Sequence, residues 1–451
     1  MAFTRLWDKG GALNEVMHEL TVGNDPVLDR ELVCADAVGS AAHARMLASC
    51  GLLGESELRS LLGALKEIFE SGRAGTFEIP AALEDVHTAI EGSLTESLGE
   101  PGRRIHTARS RNDQIVLATR LHLRRQVALV LDALLGIAEA LSARFKDSGS
   151  IDMPGYTHMQ PAMPSSVGMW LHSVQEVVLE LVDEGLHLTS IIDRQPLGSG
   201  AGFGTSLPID REKTAKLLEF SEVQRSFIDV NNSRGRYELK FLRWCVDIAS
   251  AFEKLACDVM LFATREFGFI SLPNDLTTGS SIMPQKRNPD VVELLRGRAA
   301  RVRGACDELA WVTAKLTSSY HRDLQYTKEP FLRGAAETAA VLRMARLIIE
   351  GLRFDRDRLS RSMHPELYAT YEANRLVAKG VPFRDAYRET AKLVESGKLD
   401  VASLKKDFEL ARKETESGMA LATARLEGLS PKVAEYVAKL DRVDEQVFKI
   451  D

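Results

Sequence analysis

A chain of 451 residues, 45% of them hydrophobic, is long enough for two or three domains and apolar enough to bury a large core, which excludes a globally disordered protein. Its net charge of −6, with the two signs interspersed and no tail of one sign, argues against a general nucleic-acid binder. Cys34, Cys50, Cys245, Cys257 and Cys306 stand far apart with no Cys-x-x-Cys pair. They read as small buried hydrophobes and not as a disulfide framework, which fits a reducing, cytoplasmic setting. Met1 to Gly11 lacks the apolar core of a signal peptide. No run approaches the ~18 apolar residues that a membrane helix requires.

In chain order, Glu55 to Ser71 and Leu83 to Leu98 read as short helices joined across Gly72 and Pro80. From about Ser110 to Phe145 the apolar residues Ile115, Ala118, Leu121, Ala128, Leu131, Leu135, Ala138 and Leu141 keep a three-to-four spacing, which predicts a helix of about 50 Å. Similar patterns run from Ser165 to about Asp193, from about Arg236 to Phe267, from Pro289 to about Thr317 and from about Phe331 to Gly351. Helices of that length bury their apolar stripes on one another. After about Phe354 the chain breaks into pieces near Pro365, Gly380, Pro382 and Gly397. No strand series or βαβ rhythm is evident. The expectation is an all-α protein of three domains: an N-terminal helical domain over 1–108, a central long-helix bundle over 109–356 and a C-terminal helical domain over 357–451.

Four segments carry candidate chemistry. His106-Thr107-Ala108-Arg109-Ser110-Arg111-Asn112-Asp113-Gln114 lies where the first long helix begins. Ser110 or Thr107 can cap that helix with Asp113 near its first turn, and the guanidinium groups of Arg109 and Arg111 beside free backbone N–H groups suit a carboxylate. Pro154 to Pro164, with three prolines and Gly155, reads as a rigid loop holding Thr157 and His158, a histidine placed to carry a proton. Gly279-Ser280-Ser281-Ile282-Met283-Pro284-Gln285-Lys286-Arg287-Asn288-Pro289-Asp290 cannot be regular structure until its end. Asn288 reads as an N-cap with Pro289 at the first helical position, so a mobile loop bearing Ser280 and Lys286 is pinned to a helix N-terminus. Glu293, on the first turns of that helix, is the candidate to orient His158. Tyr320 to Pro330 offers the hydroxyl of Tyr320, the amide of Gln325 and the cation of Lys328. Gly198 to Gly204 is glycine-rich but follows a helix and lacks dinucleotide-binding spacing, and the ten histidines form no metal pattern, so no cofactor or metal is expected. Arg296, Arg298, Arg301 and Arg303 point to several faces of one helix and read as ion-paired within the bundle.

The Gly-Ser-Ser-Ile-Met-Pro-x-Lys-x-Asn-Pro run resembles the signature of the fumarase/aspartase superfamily, whose members release fumarate from succinyl compounds by β-elimination. The His-Thr-x-Arg-Ser-Arg-Asn-Asp-Gln, Pro-Gly-Tyr-Thr-His-x-Gln and Asp-Leu-Gln-x-x-Lys-Glu runs are similar to its argininosuccinate lyase branch, over roughly residues 15–390. The resemblance implies a carbon–nitrogen lyase that cleaves argininosuccinate to fumarate and L-arginine without a cofactor. It implies Ser280 as general base, Lys286 at the developing charge and His158 with Glu293 on the acid side. Asn112, Thr157, Asn288, Tyr320, Gln325 and Lys328 would hold substrate, with Ser110 and Arg111 nearby. It further implies a homotetramer whose active sites each draw on three subunits, and neither nucleic acid nor membrane as partner. The alternatives are a related fumarate-forming lyase of another N-substituted aspartate and a non-catalytic, crystallin-like protein. Three segments depart from the family pattern. Leu6-Trp7-Asp8-Lys9-Gly10-Gly11 replaces Trp-Gly-Gly-Arg-Phe, a substrate-contacting serine of the family aligns near Asp25, and Ser233-Arg234-Gly235-Arg236-Tyr237 replaces Ser-Asp-Arg-Asp-Phe. Either Arg234 or Arg236 can take the arginine's place.

Overall fold

A computed structural model describes residues 15–80 and 83–450, so the departure at Leu6 to Gly11 lies outside the described residues. The chain opens with α1 (Glu15–Val22) and α2 (Asp25–Leu28), and a 3-10 turn at Asp29–Leu32 runs into α3 (Val33–Ser49). Helix α4 (Glu55–Arg73) starts where Gly54 N–H donates to Glu57 Oε2 at 2.8 Å. Helix α5 (Val86–Leu98) starts at Asp85, whose carboxylate accepts from Thr88 N–H at 2.8 Å. With the short α6 (Glu100–Arg104) they enclose a core that includes Leu32, Leu61, Leu65, Val86 and Leu94.

The predicted long helices are present. Helix α7 (Arg111–Ser148) runs 38 residues, and the hairpin of β1 (Asp152–Thr157) and β2 (Gln160–Ser166) joins it to α8 (Val167–Ile192). Short braces follow: β3 (Arg194–Gln195), α9 (Arg211–Leu217), β4 (Glu222–Val223), parallel to β3, and α10 (Phe227–Asn232). Helix α11 (Arg236–Phe262), β5 (Ile270–Ser271), α12 (Asp290–Thr313), α13 (Lys328–Gly351) and β6 (Arg353–Phe354), which closes on β5, complete the bundle. Its core holds fully buried side chains from every long helix, among them Leu131, Leu179, Phe252, Val302 and Ile348. Three of the four arginines on α12 are paired as expected: Arg298 and Arg301 reach Glu337 at 2.7 and 2.5 Å, and Arg303 reaches Glu253 at 2.5 Å.

Four expectations need correction. The proline-rich stretch before α8 is a hairpin, not an irregular loop; His158 and Met159 form its two-residue turn with φ of 52° and 62°, the left-handed geometry such turns demand. Helix α12 begins one residue late, at Asp290, so Pro289 takes the cap position and the Asn288 side chain turns back toward Gly279 O at 3.4 Å. One 18-residue window of α7, of mean hydropathy 1.6, is apolar enough by length and composition to cross a membrane. That apolar run supplies Leu131, Leu134 and Leu141 to the bundle core. Cys257 is exposed, although Cys245 and Cys306 are buried.

The chain's end also differs from a series of short pieces. Beyond α14 (Arg356–Arg361), α15 (Ala369–Ala378) and α16 (Phe383–Glu395), the 46-residue α17 (Val401–Gln446) runs without interruption through Pro431. An internal proline costs about 3 kcal/mol. Burial of Leu426, Leu429, Val433 and Tyr436 offsets it, at roughly 1.5–3 kcal/mol for each large apolar side chain. Leu404 and Phe408 join a small core with Leu367 and Tyr368, Met419 to Leu440 join the bundle core, and Val443 joins the N-terminal core with Val447 and Phe448 beyond the helix.

Close packing makes a test of the bundle. A Cβ at Gly185 would lie 2.4 Å from Trp244 Cζ2 and 2.7 Å from Leu131 Cδ2. Alanine in a helix ordinarily gains about 1 kcal/mol over glycine. Overpacking costs about 1–3 kcal/mol, so Gly185→Ala is expected to destabilise the protein and lower its thermal midpoint by a few degrees in a melt followed by circular dichroism.

Candidate functional site

The start of α7 anchors one wall of a cleft of about 690 Å³. Ser110 caps the helix, accepting from Asn112 N–H at 3.2 Å, while its own N–H donates to Asp113 at 2.9 Å. Arg111, Asn112 and Ile115 face the cleft from α7. The cleft is also lined by Tyr320, which precedes the 3-10 turn Arg322–Thr327, by Gln325 on that turn and by Lys328 at the start of α13. Five of the residues proposed from sequence therefore converge: Arg111, Asn112, Tyr320, Gln325 and Lys328. Ser110 stays behind the wall as a cap.

The remaining six lie apart from this cleft in a single chain. Thr157 and His158 are exposed at the hairpin tip. Ser280 and Lys286 sit on a loop whose feet are clasped by paired backbone bonds between Thr278 and Asn288, at 3.1 and 2.8 Å. Ser280 Oγ accepts from Met283 N–H at 3.2 Å. Glu293 is exposed on the first turn of α12.

Charge in the cleft is dense, and Arg111 and Lys328 are both paired. Arg111 reaches Glu84 at 3.3 Å and Asp85 at 2.9 Å. Lys328, only 5% exposed, has Nζ 3.0 Å from Asp25 and donates also to Asp29. Burial lifts the Asp25 carboxyl above its usual range against the pull of Lys328. Gln325 Nε2 donates to Thr21 O at 2.9 Å, which leaves its carbonyl oxygen for a ligand. Arg109, expected to share anion binding with Arg111, instead turns inward and donates to Ser40 Oγ at 2.9 Å. The glycine-rich segment has a structural role: the N–H groups of Gly198 and Gly200 donate to the buried Asp113 carboxylate at 3.0 and 2.8 Å. Of the two alternative arginines, Arg236 grips Asp229 with both terminal nitrogens at 2.8 and 3.1 Å, whereas Arg234 lines the cleft.

The sequence of residues 18–304 matches the family model described as Lyase. The chain is 43% identical over 387 residues to the argininosuccinate lyase of Sorangium cellulosum, covering 86% of this chain and 90% of that protein. It is 40% identical to that of Stenotrophomonas maltophilia over 86% of this chain and 90% of the relative. The chain belongs to the argininosuccinate lyase family. Among solved structures, EDDS lyase in complex with formate matches with a TM-score of 0.80 at 20% identity, covering 97% of this chain and 95% of that one. A class II fumarase from Schistosoma mansoni matches with a TM-score of 0.72 at 17% identity, covering 93% and 96%. The fold is the all-α fold of the fumarase/aspartase superfamily, as the motifs implied.

For this member of the argininosuccinate lyase family, sequence reasoning missed the acidic side of the cleft: Asp29, Glu84, Asp85 and His87. A signal existed, since Asp25 and Asp29 are four apart and His87 follows two carboxylates at a helix start. His87 Nδ1 lies 2.5 Å from Asp36, and its Nε2 is buried without a hydrogen-bond partner among the described residues. Burial opposes charge on both groups, but their mutual attraction prevails, holding Asp36 below and His87 above their ordinary ranges.

The sign of each shift sets a pH window. The depressed Asp36 contributes stability above its ordinary 3.8, lost as pH falls through its folded value. The raised His87 contributes stability below its ordinary 6.5, lost as pH rises through its folded value. The thermal midpoint of His87→Gln should therefore fall furthest below that of the unsubstituted protein between pH 3.8 and 6.5. A deficit that keeps widening up to pH 9 would contradict the pairing.

Proposed function

We propose that this chain is an argininosuccinate lyase, cleaving argininosuccinate to fumarate and L-arginine. The observation that carries the reading is the convergence of Arg111, Asn112, Tyr320, Gln325 and Lys328 on one cleft, in a chain about two-fifths identical to proteins of that name. In this reading Ser280 removes a proton from the carbon beside a carboxylate of the succinyl group. The electron pair moves into that carboxylate, and Lys286 offsets the second negative charge. The carbon–nitrogen bond then breaks toward the guanidine nitrogen, which takes a proton from the acid side, where His158 is oriented by Glu293. Thr157 and Asn288 hold the succinyl part. The step as written needs no cofactor. A bare serine is a weak base, so the loop must close and exclude water. Its tip supports closure: Ile282 is 82% exposed, while the loop's feet are clasped.

The separation of Ser280, Lys286, His158 and Glu293 from the cleft supports sites assembled from several subunits, and with them a homotetramer. Large apolar side chains on the outside of the bundle support the same assembly: Leu129 and Leu294, each 57% exposed, and Trp311, 75% exposed. A cytoplasmic location accords with five unpaired cysteines. Asp25 favours, as a second reading, a lyase of a different N-substituted aspartate. A panel of argininosuccinate, adenylosuccinate, aspartate and malate, with fumarate followed by its ultraviolet absorbance, separates the two.

Ser280→Ala is expected to lower kcat by about 10²–10⁴-fold with an unchanged circular dichroism spectrum, and near-normal turnover would remove Ser280 from the base position. Shared sites predict a further result. Ser280→Ala and Asn112→Ala chains, each inactive alone, should regain activity when unfolded and refolded together, because some mixed sites then contain both intact residues. Mixtures that stay inactive while forming tetramers would refute sharing.

A further inference from the structure

The cations around the cleft are not equally available to a ligand. Lys328 is neutralised by Asp25 and Asp29, so a third carboxylate brought by a ligand would meet net negative charge there. Arg111 is paired with Glu84 and Asp85. Arg236 is held by Asp229. Arg234 lines the same cleft, with its guanidinium 5.8 Å from the centre of the Tyr320 ring, and that guanidinium makes no hydrogen bond or ion pair with a protein group among the described residues. It is half-buried, and burial pulls its pKa down against the attraction of Tyr320, Asp25 and Glu238. A half-buried guanidinium with five donors and no acceptor is costly unless an anion completes it.

Backbone geometry explains why the Arg234 guanidinium stands at this position. Gly235 has φ +84°, and a Cβ there would lie 2.5 Å from Thr313 Cγ2 and 3.1 Å from Thr327 Cγ2. No side chain can leave the chain at residue 235, so the side chain that enters the cleft comes from its neighbour.

We infer that Arg234 anchors a carboxylate carried by the leaving amine, a role that Asp25 has moved off Lys328. The planar fork of Arg234 holds that carboxylate through two parallel bonds, so this residue sets the preference for an amino acid over a simple amine. Lys328 becomes a positioning residue that fixes Asp25 and Asp29. The inference rests on the lyase reading.

Agmatine, which is arginine without its carboxylate, provides the test. The purified enzyme is given fumarate with either L-arginine or agmatine, and loss of fumarate is followed in the direction of addition. The unsubstituted enzyme should prefer arginine by on the order of a hundredfold in kcat/KM, as for a charged hydrogen-bonded pair. Arg234→Gln should reduce that preference to below about tenfold, mainly through KM for arginine, and Arg234→Lys should fall between. Asp25→Ser in the Arg234→Gln background should restore part of the arginine rate, because Lys328 then has only Asp29 to neutralise it. A preference unchanged in both Arg234 variants, or lost activity toward both amines in equal proportion, would overturn the assignment. An unsubstituted enzyme that adds neither amine to fumarate would instead overturn the lyase reading itself.

Discussion

Asp113 has no exposed surface, yet its carboxylate is ringed by the backbone N–H groups of Ser110, Gly198 and Gly200. A buried carboxylate without such donors costs several kcal/mol, so the chain is held wherever those donors must be. That constraint sets the first turn of α7, and with it the cleft-facing side chains of Arg111 and Asn112. It also fixes the glycine-rich segment, from which Ala201 accepts Asn231 Nδ2 at 3.0 Å. Asn231 belongs to α10, the helix that leads directly into Arg234. Opposite walls of the cleft are thus referred to one carboxylate. The glycines are needed because this path is left-handed, with φ of 88° at Gly198 and 58° at Gly200.

What could be read from the sequence follows from the range of the interactions involved. The five bundle helices were legible because each carries a long apolar stripe, and period alone defines such a stripe to within a few residues. The cap at Ser110 was legible because its partner Asp113 is three residues away. The β1–β2 hairpin was not, because its strands contain Pro154, Pro161 and Pro164 and its turn lacks the glycine that usually marks left-handed geometry. Asn288 misled because Asn-Pro is a common helix start, whereas here its amide serves the loop. The acidic members of the cleft depend on contacts between distant segments, such as Lys328 with Asp29, which no local pattern encodes.

On the proposed reading, the site divides its labour in space. Groups that suit recognition of the amine half lie together within one chain, tied to buried helix ends. Groups that suit proton transfer lie on exposed projections, the hairpin tip at His158 and the clasped loop at Ser280. Recognition groups on rigid elements keep their geometry, while a loop with an unpacked tip can change position around them.

Helix α17 brings Val443 and the residues just beyond the helix into the core of the N-terminal helices. Val443, Val447 and Phe448 pack with Leu32, Leu61 and Phe69, and Arg45 donates to Val447 O at 2.7 Å. During synthesis the N-terminal helices therefore leave the ribosome with an apolar gap that is filled when Val443, Val447 and Phe448 follow. Some four hundred residues separate the partners, a span that makes the final contact slow by loop closure. A chain cut short before α17 ends leaves both the bundle and the N-terminal core with an apolar seam open to the solvent and to other chains.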